Sequence, residues 1–285
     1  MLRNLVRLMR PKHYIKNVLI LAPLVFSGQL LVGDNLLQAA LSVVIFSLVA
    51  SAVYVINDIR DVKKDRQHPK KKNRPIASGA VSIRQAITLL AVIIAATVIL
   101  TIVTKLNWVS IILLGIYLVI NIGYSFGLKN IPIVDIAILA AGFVIRVLYG
   151  GEVVDIEVSN WLYLTVLAGA FYVSLGKRRN EIIVNGVKSR KVNESYTLNF
   201  LDKFMYVCLA LLLTFYSLWA TAPSGGGESS LFWTIPIVIL LCMSYSLHIE
   251  KEGSLGDPVD VLLSDKVLLV FAGSYVVVTT LLLYL

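Results

Sequence analysis

Charge is what this chain has least of. Only 15% of its 285 residues are Asp, Glu, Lys or Arg, against ~25% in an ordinary soluble domain. That supply cannot cover a water-facing surface of this size. A membrane class follows, and the length reads as a number of spans rather than of soluble domains. Cysteine is nearly absent. Cys208 and Cys242 both lie inside apolar runs, which excludes a disulfide scaffold and leaves no zinc-type spacing. Histidine occurs three times, and no Ser/His/Asp or Cys/His arrangement can be assembled. Low-complexity tracts and short repeats are also missing; Ser224-Gly225-Gly226-Gly227 reads as a flexible turn. From Met1 to Lys16 the chain is basic and amphipathic with no small-residue cleavage site after it, so it is expected to lead into a first span rather than to be a cleaved signal.

What the chain has is apolar length: 58% of it is hydrophobic. A span needs ~20 apolar residues. Nine candidates satisfy this, at about 14–32, 36–56, 84–104, 107–127, 132–150, 160–176, 202–221, 231–248 and 266–285. The first, with Lys16 and Pro23, and the fifth, with Asp135 and Arg146, are the weakest. An all-α, polytopic bundle forming a single domain over 1–285 is expected.

The 26 Lys and Arg exceed the 17 Asp and Glu, for a net charge of +9. Nine spans put the N-terminus and the loops near 57–83, 128–131, 177–201 and 249–265 on one side. That side collects Arg3, Arg7, Arg10, Lys12, the run from Arg60 to Arg74, and Lys177 to Lys191; the opposite side has essentially Lys105. The positive-inside rule makes the basic side cytoplasmic. Topology and the lipid bilayer thus account for the positive charge, and a nucleic-acid partner is not needed.

The densest polar segment begins where the second span ends, from Asn57-Asp58 through Asp61, Asp65, Arg66 and His68. On a continuing helix, Asn57, Asp61, Asp65 and Asp58 fall at roughly 0°, 40°, 80° and 100° around the axis. Like charges so close repel unless a cation joins them. Oxygen ligands select a hard ion, and Mg2+ shared between carboxylates and substrate phosphates is the usual solution. An ordinary solvated helix cap remains the alternative, because Arg60, Lys63, Lys64 and Arg66 are interleaved. Arg74 follows in Arg74-Pro75-Ile76-Ala77-Ser78-Gly79, well suited to phosphate. A second cluster runs from Tyr124 through Lys129 to Asp135. Asp135 and Arg146 are eleven residues apart, so about 20° from one face but ~16 Å apart in rise. They are too distant to pair directly, and Arg146 needs another acid, such as Glu152, or a substrate. Lys177-Arg178-Arg179 is either a source of cations for an anionic substrate or a topological anchor. Asp257, Asp260 and Asp265 read as a capped turn without chemistry.

The pattern Asn57-Asp58-x-x-Asp61-x-x-x-Asp65 resembles the first aspartate-rich motif of the UbiA superfamily of intramembrane prenyltransferases, and the resemblance covers essentially the whole chain. Arg10-Pro11-Lys12-His13-Tyr14-Ile15-Lys16-Asn17, Asp65-Arg66-x-His68-Pro69, Tyr124-Ser125-x-x-Leu128-Lys129, Gly142-Phe143-x-x-Arg146 and Gly176-Lys177-Arg178-Arg179-x-Glu181 resemble one branch of it. That branch moves 5-phosphoribose from phosphoribosyl diphosphate to a polyprenyl phosphate, for cell-envelope glycan precursors. The resemblance implies a Mg2+-dependent enzyme with Asp58, Asp61 and Asp65 as its catalytic acids, helped by Asn57 as a metal ligand. It implies Lys16, Asn17, Asn57, Arg66, His68, Arg74, Tyr124, Lys129, Asp135, Arg146, Lys177 and Arg178 as substrate-binding residues. Aromatic prenyltransferases of the superfamily carry a second pair of acids; here Asp135 has no second acid close by in sequence. That departure counts against the alternative, transfer of a prenyl group to an aromatic acceptor. A transporter fits less well, since transporter sites sit at midplane and these polar residues gather in loops.

Overall fold

The computed structural model describes residues 2–67, 71–222, 230–251 and 258–285, and no strand occurs among them. In chain order the helices are α1 (Leu2–Met9), α2 (Ala22–Phe26), α3 (Asn35–Arg60), α4 (Val62–Gln67), α5 (Ile83–Val103), α6 (Trp108–Phe126), α7 (Val134–Val153), α8 (Asn160–Asn185), α9 (Leu198–Thr221), α10 (Ile235–Glu250), α11 (Pro258–Ser264) and α12 (Lys266–Tyr284). A tighter 3-10 segment, Pro11–Leu21, joins α1 to α2.

Seven helical stretches are long and apolar enough to cross a membrane: Asn35–Arg60, Ile83–Val103, Trp108–Phe126, Val134–Val153, Leu198–Thr221, Ser230–Glu250 and Lys266–Tyr284. Two of the nine expected spans differ. The stretch expected at 14–32 is broken into the 3-10 segment and the five-residue α2, with Pro11 and Pro23 at the starts of the two pieces. Proline there removes a backbone donor and favours a new helical start over a continued one. The stretch expected at 160–176 is one helix, but α8 runs on to Asn185 and ends in a charged turn, so it is less apolar than the seven. The turn expected at Ser224–Gly227 lies outside the described residues.

The chain divides into two compact units. One holds Met1–Gly127 and Leu148–Glu157, the other Leu128–Val147 and Val158–Leu285. In the first, α3 is the central element. Its buried positions are mostly small, including Ala39, Ser42, Ser47, Ala50, Ser51 and Ala52. Small residues let membrane helices approach closely, since lipid supplies little hydrophobic drive to bring them together. Polar contacts fasten the 3-10 segment to α3: Asn17 Nδ2 donates to Ser47 Oγ at 2.8 Å, and the Tyr14 and Ser51 hydroxyls lie 2.7 Å apart. The last turn of α7 closes on the same segment. A side chain at Gly150 would put its Cβ 2.0 Å from the Ile20 carbonyl oxygen, so the contact requires glycine. In the second unit α8 packs along α9 around Tyr172, Leu175, Ile182, Leu201, Met205 and Ile249. Outward apolar positions such as Val92, Ile99, Ile102 and Val119 are exposed, as lipid-facing positions are.

Gly150→Ala is expected to destabilise the protein by about 1–3 kcal/mol, because its neighbour is backbone and cannot move aside. Gly115→Ala, in α6 with nothing within 4 Å, is expected to be neutral or mildly stabilising. Thermal unfolding of the two variants in detergent reads the difference.

Candidate active site

Each unit has a buried polar centre. The first begins at the end of α3. Asp61 interrupts the helix there, with φ −87° and ψ 5°, but its amide still bonds to the Asn57 carbonyl and its own carbonyl receives the Asp65 amide at 2.8 Å. The helical path therefore nearly continues into α4. Asp58 and Asp65 are seven residues apart, two turns that return to within about 20° of one face. They are the buried acids, 2% and 4% exposed, while Asn57 and Asp61 are partly buried.

Two arginines hold this pair. Arg74 Nη1 lies 2.7 Å from Asp65 Oδ2 and 3.1 Å from Asp58 Oδ1, so one guanidinium nitrogen bridges both carboxylates. Arg10 Nη2 reaches the same Asp58 Oδ1 at 2.6 Å. The loop that presents Arg74 is built from its own residues. Arg74 is followed by Pro75, whose carbonyl accepts the Val81 amide at 2.9 Å; Ile76 and Val81 are buried against Leu8, Ala52 and Val55. Gly79 at φ 80° makes the turn, and Ser82 with Gln85 forms a capping box that starts α5. Arg66 Nε donates to the Ala77 carbonyl at 3.2 Å and so braces this loop. Arg10 sits at φ 58° between α1 and Pro11, a left-handed conformation costly for a non-glycine residue.

The second centre lies on α7 and α8. Asp135 is fully buried. Its Oδ1 accepts the Tyr196 hydroxyl at 2.6 Å, and its Oδ2 meets Arg178 Nη2 at 2.5 Å in a close ion pair lacking hydrogen-bond alignment. Arg178 Nη1 reaches Glu181 Oε2 at 2.6 Å, and Glu181 Oε1 meets Arg190 Nε at 2.6 Å. The Tyr196 hydroxyl also accepts the Ile133 amide at 2.6 Å. Arg178 is 3% exposed and its Nε has no acceptor among the described residues. Its guanidinium thus serves mainly to pin α8 to α7 and to the segment leading to α9.

The remaining expected residues are distributed as follows. Lys16 is partly buried on the 3-10 segment, and Asn17, fully buried, is used on Ser47. Tyr124 is partly buried near the end of α6, Lys129 lies in the short turn Leu128–Asn130, and Lys177 precedes Arg178 on α8. Arg146 is buried, donates to the Gly142 carbonyl one turn back and lies 6.0 Å from the Phe143 ring centroid. Glu152, considered above as its partner, accepts from Asn107 at 3.4 Å. His68 lies outside the described residues, as does Asp257. Asp265 caps α12 through the Val267 and Leu268 amides, and His248 lies 2.9 Å away, in line with the capped turn expected there.

The sequence model of the UbiA prenyltransferase family matches residues 19–258. The chain belongs to the UbiA prenyltransferase family. It is 33% identical over 282 residues to the decaprenyl-phosphate phosphoribosyltransferase of Corynebacterium glutamicum, covering 96% of this chain and 84% of that protein. It is 34% identical over 281 residues to the enzyme of the same name from Mycobacterium tuberculosis, covering 96% and 92%. The UbiA homolog from Archaeoglobus fulgidus bound to GPP and Mg2+ shares its fold, with a TM-score of 0.73 at 16% identity, covering 98% of this chain and 99% of that one.

A divalent cation is therefore the group to test against the first centre. The donors suit it: buried carboxylate oxygens with no sulfur or nitrogen ligand, already bridged by a cationic nitrogen. Among the described residues no three His, Cys, Asp or Glu side chains converge as a ready-made cage. Two carboxylates completed by substrate phosphates is the arrangement that fits, as expected for magnesium. Within this UbiA chain, Arg10 is the functional residue that the sequence reading left off the site. Its only signal was its place at the head of the Arg10–Asn17 motif. Tyr196 was likewise noted only as the end of a basic loop.

Tyr196 carries a pH signature. Burial, then its bond to the Asp135 carboxylate, pushes its hydroxyl from the ordinary 10 up to about 12. The neutral form is the one favoured on folding. The resulting stability is present below pH ~10 and is lost as pH rises through about 12. In detergent, wild-type stability is expected to fall over that window more steeply than that of Tyr196→Phe.

Proposed function

We infer that this chain transfers 5-phosphoribose from phosphoribosyl diphosphate to a polyprenyl phosphate of the decaprenyl type, releasing diphosphate, as one step in making cell-envelope glycan precursors. The observation that carries the reading is likeness along nearly the whole chain to two enzymes of that name. The charge balance of the first centre supports it, since two arginines accompany the two buried acids.

Asp58 and Asp65, with Asp61 and Asn57 beside them on the same helical path, would hold Mg2+. Bound there, the ion would offset the charge developing on the departing diphosphate. Arg10, Arg74 and Lys16 orient the donor's phosphates by charge-assisted hydrogen bonds. The acceptor phosphate is already an anion, so this chain need supply no strong base; its attack on C1 from the face opposite the diphosphate inverts that centre. Lys129 and Lys177 are our further candidates for anion binding. Asp135 and Arg178 hold structure rather than substrate.

The nine-pass topology belongs to the same reading. Pro11–Leu21 rises about 22 Å as a 3-10 helix, and α2 extends this to about 30 Å if straight, enough to cross the hydrocarbon core. With α8 counted as a pass, the basic N-terminus and loops share the cytoplasmic side of the plasma membrane, where a soluble sugar phosphate is available. One UbiA match running from 19 to 258 supports a single functional domain.

Purified protein supplied with decaprenyl phosphate, Mg2+ and radiolabelled phosphoribosyl diphosphate is expected to move label into the lipid phase. Asp61→Ala and omission of the metal are each expected to lower the rate at least 100-fold, about 2.7 kcal/mol in barrier. No lipid label, but product from a prenyl diphosphate and an aromatic acid, would contradict the assignment.

A further inference from the structure

We propose that Arg74 stands in the place of the divalent cation in the substrate-free enzyme, and that metal loading exchanges it out of the Asp58–Asp65 pair and releases its guanidinium to the donor's phosphates. The inference rests on the phosphoribosyl-transfer reading above.

The geometry makes coexistence costly. Asp58 Oδ1 takes two N–H donors, from Arg10 at 2.6 Å and Arg74 at 3.1 Å. An ionised carboxylate oxygen has about two lone-pair sites, so this oxygen is saturated. Asp65 Oδ2 is 2.7 Å from the same Arg74 nitrogen. That nitrogen occupies the bridging position between the acids, and a cation bound to both oxygens needs that space. A metal at ~2.1 Å from each oxygen would also meet a like-charged guanidinium at close range.

The reverse holds when the metal is away. Asp58 and Asp65 are almost fully buried, and two unneutralised carboxylates in such a place are strongly disfavoured. Arg74 supplies that neutralisation, and its own loop is held by Ile76 and Val81 on the core side. Its guanidinium is about a quarter exposed, at 24%, so it can leave without unpacking the loop. A donor diphosphate then meets a bound metal and a freed, bidentate arginine together. Metal and diphosphate should therefore bind with positive coupling through Arg74.

The test uses full-length protein in detergent with Mn2+ as the probe, free Mn2+ being counted by its electron paramagnetic resonance signal, with and without inorganic diphosphate. The exchange predicts that Arg74→Gln binds Mn2+ about tenfold more tightly than wild type, while Asp65→Asn binds it much more weakly. It also predicts that diphosphate tightens Mn2+ binding in wild type, by a factor that shrinks in Arg74→Gln. If Arg74→Gln does not yield folded protein, Arg10→Gln makes the same comparison, since it frees a lone pair on Asp58 Oδ1; a smaller tightening is expected. Equal or weaker Mn2+ binding in the arginine variants, with wild type and Asp65→Asn behaving as stated, would overturn the exchange and leave the transfer reading standing. Mn2+ binding that ignores Asp65→Asn would overturn the exchange together with the metal role of the motif.

Discussion

One guanidinium nitrogen between two buried carboxylates organises the first half of this molecule. Asp58 and Asp65 are held apart by two helical turns and drawn together by Arg74. Their burial would be untenable without it, because isolated charges in an apolar setting cost several kcal/mol each even after relaxation. The structure around them follows from that requirement. The Arg74 loop is anchored by Ile76 and Val81, braced by Arg66 and ended by a capping box. The N-terminal segment brings Arg10 to the same oxygen and is fastened along α3 by Tyr14 and Asn17. Gly150 lets α7 lie directly on that segment.

The second unit repeats the solution with a different outcome. Asp135 is also buried, also paired with an arginine, and also saturated by neighbours. Its arginine, however, is itself 97% removed from solvent in effect, since Arg178 is only 3% exposed, and it is shared with Glu181. Exposure separates the two roles. A half-open arginine bridging two acids can trade its place with another cation, whereas a sealed one acts as a strut between helices.

Much of this was legible in the amino-acid order. Apolar runs placed α3, α5, α6, α7, α9, α10 and α12, because a bilayer imposes length and composition directly on sequence. The fifth run held despite Asp135 and Arg146, since both charges find partners inside the protein. The first did not form one helix, and its weak points were its prolines and Lys16. On the site, helical spacing identified the acids but not which were deepest: Asp58, assigned to the rim of the sector, pairs with Asp65. Arg10 lies 48 residues from Asp58. No local pattern reveals a partner at that separation. The acid missing near Asp135 in sequence, Glu181, arrives from α8 through Arg178, a tertiary contact invisible to spacing.

The central claim is that the Asp58–Asp65 pair is a cation site kept by Arg74 until metal and donor arrive. Anomalous diffraction from crystals grown with Mn2+ and inorganic diphosphate tests it most directly. The account predicts a manganese peak within about 2.3 Å of Asp58 and Asp65 carboxylate oxygens, with the Arg74 guanidinium moved onto the diphosphate. A manganese peak away from these two acids, or Arg74 still bridging them beside bound diphosphate, would contradict it.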